Sequence, residues 1–179
     1  MRPFSIAESL DRMPSAGSAA RLPLRYSELM VARDLPGFTL ADAGPDVRGW
    51  HVIAADRVSV GTIRRLIVEM RTGAIRYLMV ELDPRLERRR RRVFASSVLL
   101  PVGLARRVDD LCTVLLSGVT SEMLRRVQRI PDRPITRADE EETLRQLGLP
   151  SLADVDTGNP YVGAHFSAEL LRGNRDRDS

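Results

Sequence analysis

Between residues 47 and 118 the apolar positions fall in short, β-branched runs broken by Gly, Asp and Pro: VRGWHVIA, GTIRRLIVEM, AIRYLMVEL, RVFASSVLLP and LCTVLLSG. Runs of this length, bounded by turn-forming residues, predict strands. Thr72-Gly73 joins the second and third runs, and glycine accepts the left-handed backbone that a tight hairpin needs. About five or six strands at hairpin spacing predict a small antiparallel barrel, which hides the unpaired edges a flat sheet would expose. Alternation in 75–82 puts Arg76, Leu78, Val80 and Leu82 on one face and Ile75, Tyr77, Met79 and Glu81 on the other. Both faces are partly apolar, so a core is expected on one side and a tail or partner on the other.

After the strands the period changes from two to that of a helix. TSEMLRRVQRI offers Thr120 or Ser121 as a cap and places Met123, Leu124, Val127 and Ile130 at helical spacing. ITRADEEETLRQLG offers Thr136 as N-cap with Asp139 three residues on, acids in the first turns, and Gly148 as a stop. The organisation read from this is an extended N-terminal arm at 1–46, a barrel at 47–118, a helical segment at 119–148 and a tail at 149–179. The arm is rich in Pro, Gly, Ala and Ser with scattered apolar residues. The tail carries one apolar cluster of Tyr161, Val162, Phe166, Leu170 and Leu171. The fold class is mainly β with added α.

Composition narrows the chemistry. The 179 residues carry a formal charge of +4 with 43% hydrophobic and 29% charged residues, enough to bury a core and typical of a globular chain. All 28 basic residues are arginine, a side chain suited to carboxylates, phosphates and partly buried interfaces. One cysteine, Cys112, excludes an internal disulfide and a multi-cysteine zinc site. No long apolar stretch reads as a signal peptide or membrane span, so the chain is expected to be soluble or peripheral.

Candidate sites are few, and each has a plain structural reading beside it. Asp139-Glu140-Glu141-Glu142 offers oxygen ligands for a hard cation, yet acids at a helix start are also favoured by the macrodipole. Arg88, Arg89, Arg90, Arg91 and Arg92 suit phosphates of anionic lipid headgroups or RNA, and equally a solvated hairpin tip. Aromatic residues make up only 4%, too few for a base-stacking platform. His51 reads as a packed strand residue and Cys112 as a small core residue. No phosphate loop, nucleophile elbow or zinc-protease motif occurs, and no catalytic constellation emerges.

DVRGWHVIAADRVSVGTIRRLIVEMRTGAIRYLMVEL followed by VLLPVGLAR resembles a PRC-barrel. The flanks are similar to one branch of that family, the cytoplasmic domain of the photosynthetic reaction-centre H subunit. They are Ala32-Arg33-Asp34-Leu35-Pro36, Gly37-Phe38 and Val47-Arg48-Gly49 upstream, and LLSGVTSEMLRRV with ITRADEEETLRQLG downstream. The resemblance spans roughly residues 28–148. It lacks the family's leading transmembrane helix, which implies a separate polypeptide in that role or a relative with another job.

The resemblance implies a non-catalytic cap at the cytoplasmic face of a photosynthetic inner membrane. Such a cap binds no cofactor itself. Its expected partners are L- and M-type membrane subunits holding bacteriochlorophyll, bacteriopheophytin, quinones and non-haem iron, together with anionic lipid headgroups and light-harvesting subunits, and no DNA. It shields the quinone side and supports electron transfer and proton uptake there. The family's hairpin reads Asp-x-x-Glu-x-x-x-Arg; Glu69 stands at the aspartate, Thr72 at the glutamate and Arg76 at the arginine. With Glu81, in Leu78-Met79-Val80-Glu81-Leu82, these are the proton-path candidates. A threonine passes a hydrogen bond but stores no proton as a carboxylate does. The alternative expectation is a stand-alone PRC-barrel adaptor in RNA or ribosome metabolism or stress response, acting through the arginine run.

Overall fold

The computed structural model describes residues 29–32, 46–86, 97–152, 161 and 163–168. Seven strands occur among them: β1 (Leu29–Val31), β2 (His51–Ile53), β3 (Ser59–Glu69), β4 (Ile75–Leu82), β5 (Ser97–Pro101), β6 (Ala105–Val108) and β7 (Thr113–Leu116). They form one sheet in the order β5-β4-β3-β2-β7-β6, with β1 paired to the far end of β3. The sheet is mixed rather than wholly antiparallel, because β2 and β7 run parallel. Its described path ends at β5 and β6, giving a curled half-barrel instead of a closed ring.

Curling follows from where the apolar side chains go. One cluster draws Val98 and Leu100 from β5, Leu78 and Val80 from β4, Val52 from β2, Val114 and Leu116 from β7, and Ala105 from β6. Strands from both ends of the sheet thus bury into a common interior, which a flat sheet would prevent. A helix, α1 (Ser121–Arg126), adds Leu124 to that interior. The Thr120 side chain caps it by accepting from the Met123 amide at 3.3 Å.

The opposite face of β3–β5 is buried as well. Ile67, Tyr77, Met79 and Leu99 pack with Ile130, Ile135, Leu144, Leu152, Tyr161 and Phe166 in a second cluster. This cover comes from Leu144 of α2 (Arg137–Gln146), from Ile130 and Ile135 before that helix and from Leu152 after it; α2 opens with the expected capping box between Thr136 and Asp139. The C-terminal segment supplies the rest, ending in a short 3-10 turn at Ala164–Phe166. Gly103 makes that docking possible: a Cβ there would overlap the Ala164 carbonyl oxygen and come within 2.8 Å of the His165 Cα.

Several local expectations need correction. Strand alternation in β4 does not run unbroken from Ile75. In the β3–β4 register Tyr77 faces Ile67 and Ile75 faces Val68, so Arg76 is an extra residue with no partner across the ladder. Such a bulge shifts the side-chain phase. Ile75 therefore joins the interior with Leu78 and Val80, while Arg76 turns toward Tyr161 on the other face. Part of the supposed arm, Leu29–Val31, is a paired strand. Cys112 is exposed on the β6–β7 turn with φ of 43°, not in the core. His51 is exposed on β2. No helix among the described residues is long and apolar enough to cross a membrane. The arginine run at 88–92 lies outside the described residues.

Candidate functional site

The β3–β4 hairpin sets the geometry. The Glu69 amide donates to the Ala74 carbonyl at 2.9 Å and the Gly73 amide to the Glu69 carbonyl at 2.8 Å. Gly73 adopts φ of 67°, the left-handed region that glycine enters without penalty. This closure folds Thr72 back over the strand end. Its hydroxyl donates to Glu69 Oε2 at 2.9 Å while accepting from the Ala74 amide at 3.3 Å.

Glu69 is wholly excluded from solvent, with its side chain 0% exposed, and β1 covers it through the Leu29–Glu69 pairing. The bulged Arg76 reaches across the hairpin and donates to Oε2 from Nε at 3.1 Å and from Nη2 at 2.7 Å. The Arg76 side chain is itself only 13% exposed. Arg71 approaches the other oxygen from outside, with Nη2 3.4 Å from Oε1. Burial pushes the Glu69 carboxyl up. The hydrogen bonds from Arg76 and Thr72, with the charges of Arg76 and Arg71, outweigh it and hold the group below the usual glutamate range.

A second buried carboxylate lies beyond the arginine. Glu140 of α2 is 0% exposed, and its Oε2 accepts from the hydroxyls of Tyr77 at 3.0 Å and Tyr161 at 2.9 Å. Burial, then the Glu140 carboxylate, push the Tyr77 hydroxyl far above its ordinary range, so it stays protonated and donates to Glu140. The Arg76 guanidinium carbon sits 5.3 Å from the centroid of the Tyr161 ring, a cation–π distance. Tyr77, Tyr161 and Phe166 meet edge to face, with centroids 5.1–6.5 Å apart. The result is a continuous run of contacts from exposed Arg71 through Glu69, Arg76 and Tyr161 to Glu140.

Of the residues singled out in the sequence, Glu69, Thr72 and Arg76 are brought together. Glu81 is not. It pairs with Arg64 at 2.6 Å in a half-exposed ion pair five residues along β4 from Arg76, about 17 Å at strand rise. The acidic run divides among separate partners. Asp139 closes the capping box and pairs with Arg133, Glu141 meets Ser151 and Arg137, and Glu142 meets Arg145. No group of three or more His, Cys, Asp or Glu that could hold a metal ion occurs among the described residues.

Sequence reading missed Arg71, and it named Glu140 only within the acidic run and Tyr161 only within an apolar cluster, without tying either to Arg76. For Glu140 a signal existed. Glu140, Thr143, Leu144 and Leu147 fall at i, i+3, i+4 and i+7, the buried stripe of α2, so one acid of the run stood on the apolar face. Tyr161 had only its place in an apolar cluster, and no local pattern tied it to Arg76. No model of a known protein family matches the chain.

Proposed function

We propose that this chain is a non-enzymatic PRC-barrel cap of a photosynthetic reaction centre, seated at the cytoplasmic face of the photosynthetic membrane. There it shields the quinone side of the membrane subunits and supports proton uptake. The observation that carries this reading is the collinear resemblance from Ala32 to Gly148, whose functional hairpin is the one that buries Glu69 against Thr72 and Arg76. A carboxylate shut off from water but linked by hydrogen bonds to a hydroxyl and a guanidinium stays ionised and can hold those donors in fixed positions near a protonatable cofactor. Thr72 offers a hydroxyl where the family places a carboxylate, so the hairpin acts chiefly through the charge and hydrogen bonding of Glu69 and Arg76. Glu81 plays no part in this arrangement and serves as a surface ion-pair partner.

Fractionation of the native cells tests the reading. The chain is expected to sediment with bacteriochlorophyll-bearing membranes. A chain found entirely in the supernatant overturns it. Co-sedimentation with ribosomes that salt abolishes would instead favour an RNA adaptor working through Arg88–Arg92.

A further inference from the structure

The C-terminal segment contributes Tyr161 to the environment of Arg76, although it lies more than eighty residues away in sequence. Three elements meet there. β4 brings Arg76 and Tyr77 side by side because the bulge leaves both off the interior face. α2 brings Glu140 on its buried stripe, and residues 161–168 bring Tyr161 and Phe166. Glu140 ties the arrangement together by accepting from both tyrosine hydroxyls through one oxygen. Tyr77 is thereby fixed next to the arginine in the chain, and Tyr161 is fixed over it in space.

We propose that Tyr161 is a positioning residue for Arg76, clamped in place by Glu140, so that the C-terminal segment completes the buried Glu69–Arg76 site. An arginine on a bulge has no ladder partner to fix its backbone, and its long side chain has many rotamers. What selects the one rotamer that places both Nε and Nη2 on Glu69 Oε2 is the aromatic ring 5.3 Å from the guanidinium carbon. Arginine stacks on aromatic faces while keeping its N–H edges free for planar hydrogen bonds, which lysine does not. The hydroxyl of Tyr161 donates to Glu140 Oε2, and the Arg76 guanidinium lies over the ring. Among the described residues, the charged and titratable groups facing this assembly are Glu69 from β3, Arg71 from the turn, Arg76 and Tyr77 from β4, Glu140 and Arg137 from α2, and Tyr161 with His165 from the C-terminal segment.

The inference deepens the hairpin's role in the proposed cap, yet it concerns the isolated chain and is tested without any partner. The readouts are the hydrogen-exchange protection of the Arg76 Nε–H and the titration midpoint of the Glu69 carboxyl, both by NMR on the full chain. Tyr161→Leu is expected to lower protection at least tenfold and to raise the Glu69 midpoint by roughly one unit, the scale on which a neighbouring opposite charge acts. Tyr161→Phe keeps the ring and its packing but frees it from Glu140, and is expected to give a smaller change in the same directions. Unchanged protection and midpoint in folded Tyr161→Leu overturn the proposal. Should Tyr161→Leu fail to fold, Tyr161→Phe decides: a loss of Arg76 protection supports the clamp, and wild-type protection overturns it. A chain that fails to join reaction centres but shows these shifts would retire the cap reading and leave this one standing.

Discussion

Arg76 places two donors on a single oxygen of Glu69, Nε at 3.1 Å and Nη2 at 2.7 Å from Oε2, where Thr72 also donates at 2.9 Å. The other oxygen, Oε1, is buried and accepts no hydrogen bond from the described residues; its charge is met by Arg71 at 3.4 Å. The pair is therefore asymmetric, crowded on one side and met only by a surface guanidinium on the other. Its stability depends on keeping both partners.

Arg76→Ala is expected to cost about 3 kcal/mol, because it strands a buried carboxylate whose desolvation has already been incurred. Replacing both partners together, Glu69→Leu with Arg76→Met, is expected to cost far less, since no uncompensated charge remains. Urea denaturation of the two variants checks this through the difference in midpoint at constant slope.

Glu69 and Asp139 both titrate below their ordinary values in the folded chain. In each, burial raises the carboxyl and hydrogen-bonded arginine outweighs it, Arg76 for Glu69 and Arg133 for Asp139. A depressed folded value means that the unfolded chain binds protons first as pH falls. The stabilisation is thus complete above about pH 5, begins to drain as pH drops through the ordinary carboxylate range near 4, and is lost as pH falls through the lower folded values. Denaturation at pH 7, 5, 4 and 3 is expected to show that loss, and Glu69→Gln with Asp139→Asn to flatten it.

Gly103→Ala drives a methyl group into the backbone of Ala164 and His165. The C-terminal segment must lift while the strand core stays paired. Limited proteolysis is expected to cut within 160–170 in this variant and not in the wild type, with far-ultraviolet circular dichroism unchanged.

Thr136→Ala removes one half of a capping box, the hydroxyl that accepts from the Asp139 amide at 3.3 Å and donates to its carboxylate at 2.7 Å, and leaves the other, the Thr136 amide donating to Asp139 Oδ2 at 2.8 Å. A loss of about 1 kcal/mol is expected in thermal or chemical denaturation. Because α2 carries Glu140, fraying of this end also loosens the Tyr161 clamp.

Sequence pattern carried the main elements because their signals are local. β3 and β4 read from β-branched runs around Thr72-Gly73, and α2 from Thr136, Asp139 and Gly148. What it missed arises from long-range geometry. The phase of Arg76 depends on a bulge, and a bulge depends on the register of two strands rather than on either sequence. β1 spans only three residues and gains its identity by pairing with β3. The parallel contact of β2 with β7 joins segments sixty residues apart, beyond any hairpin rule. At the site, Glu69, Thr72 and Arg76 were legible because a single hairpin holds them. Glu140 and Tyr161 were hidden because one sits in an acid run that also suits a helix start, and the other reaches Arg76 only through the packed C-terminal segment.

The proposed role as cap of a pigment-bearing membrane complex is decided by what the chain brings with it when purified from native cells. A tagged chain isolated from gently solubilised membranes is expected to carry bacteriochlorophyll and bacteriopheophytin absorbance in fixed proportion to the polypeptide. Arg76→Ala in the same preparation is expected to slow flash-induced proton uptake. A colourless chain, recovered without pigment or membrane subunits, would contradict the account.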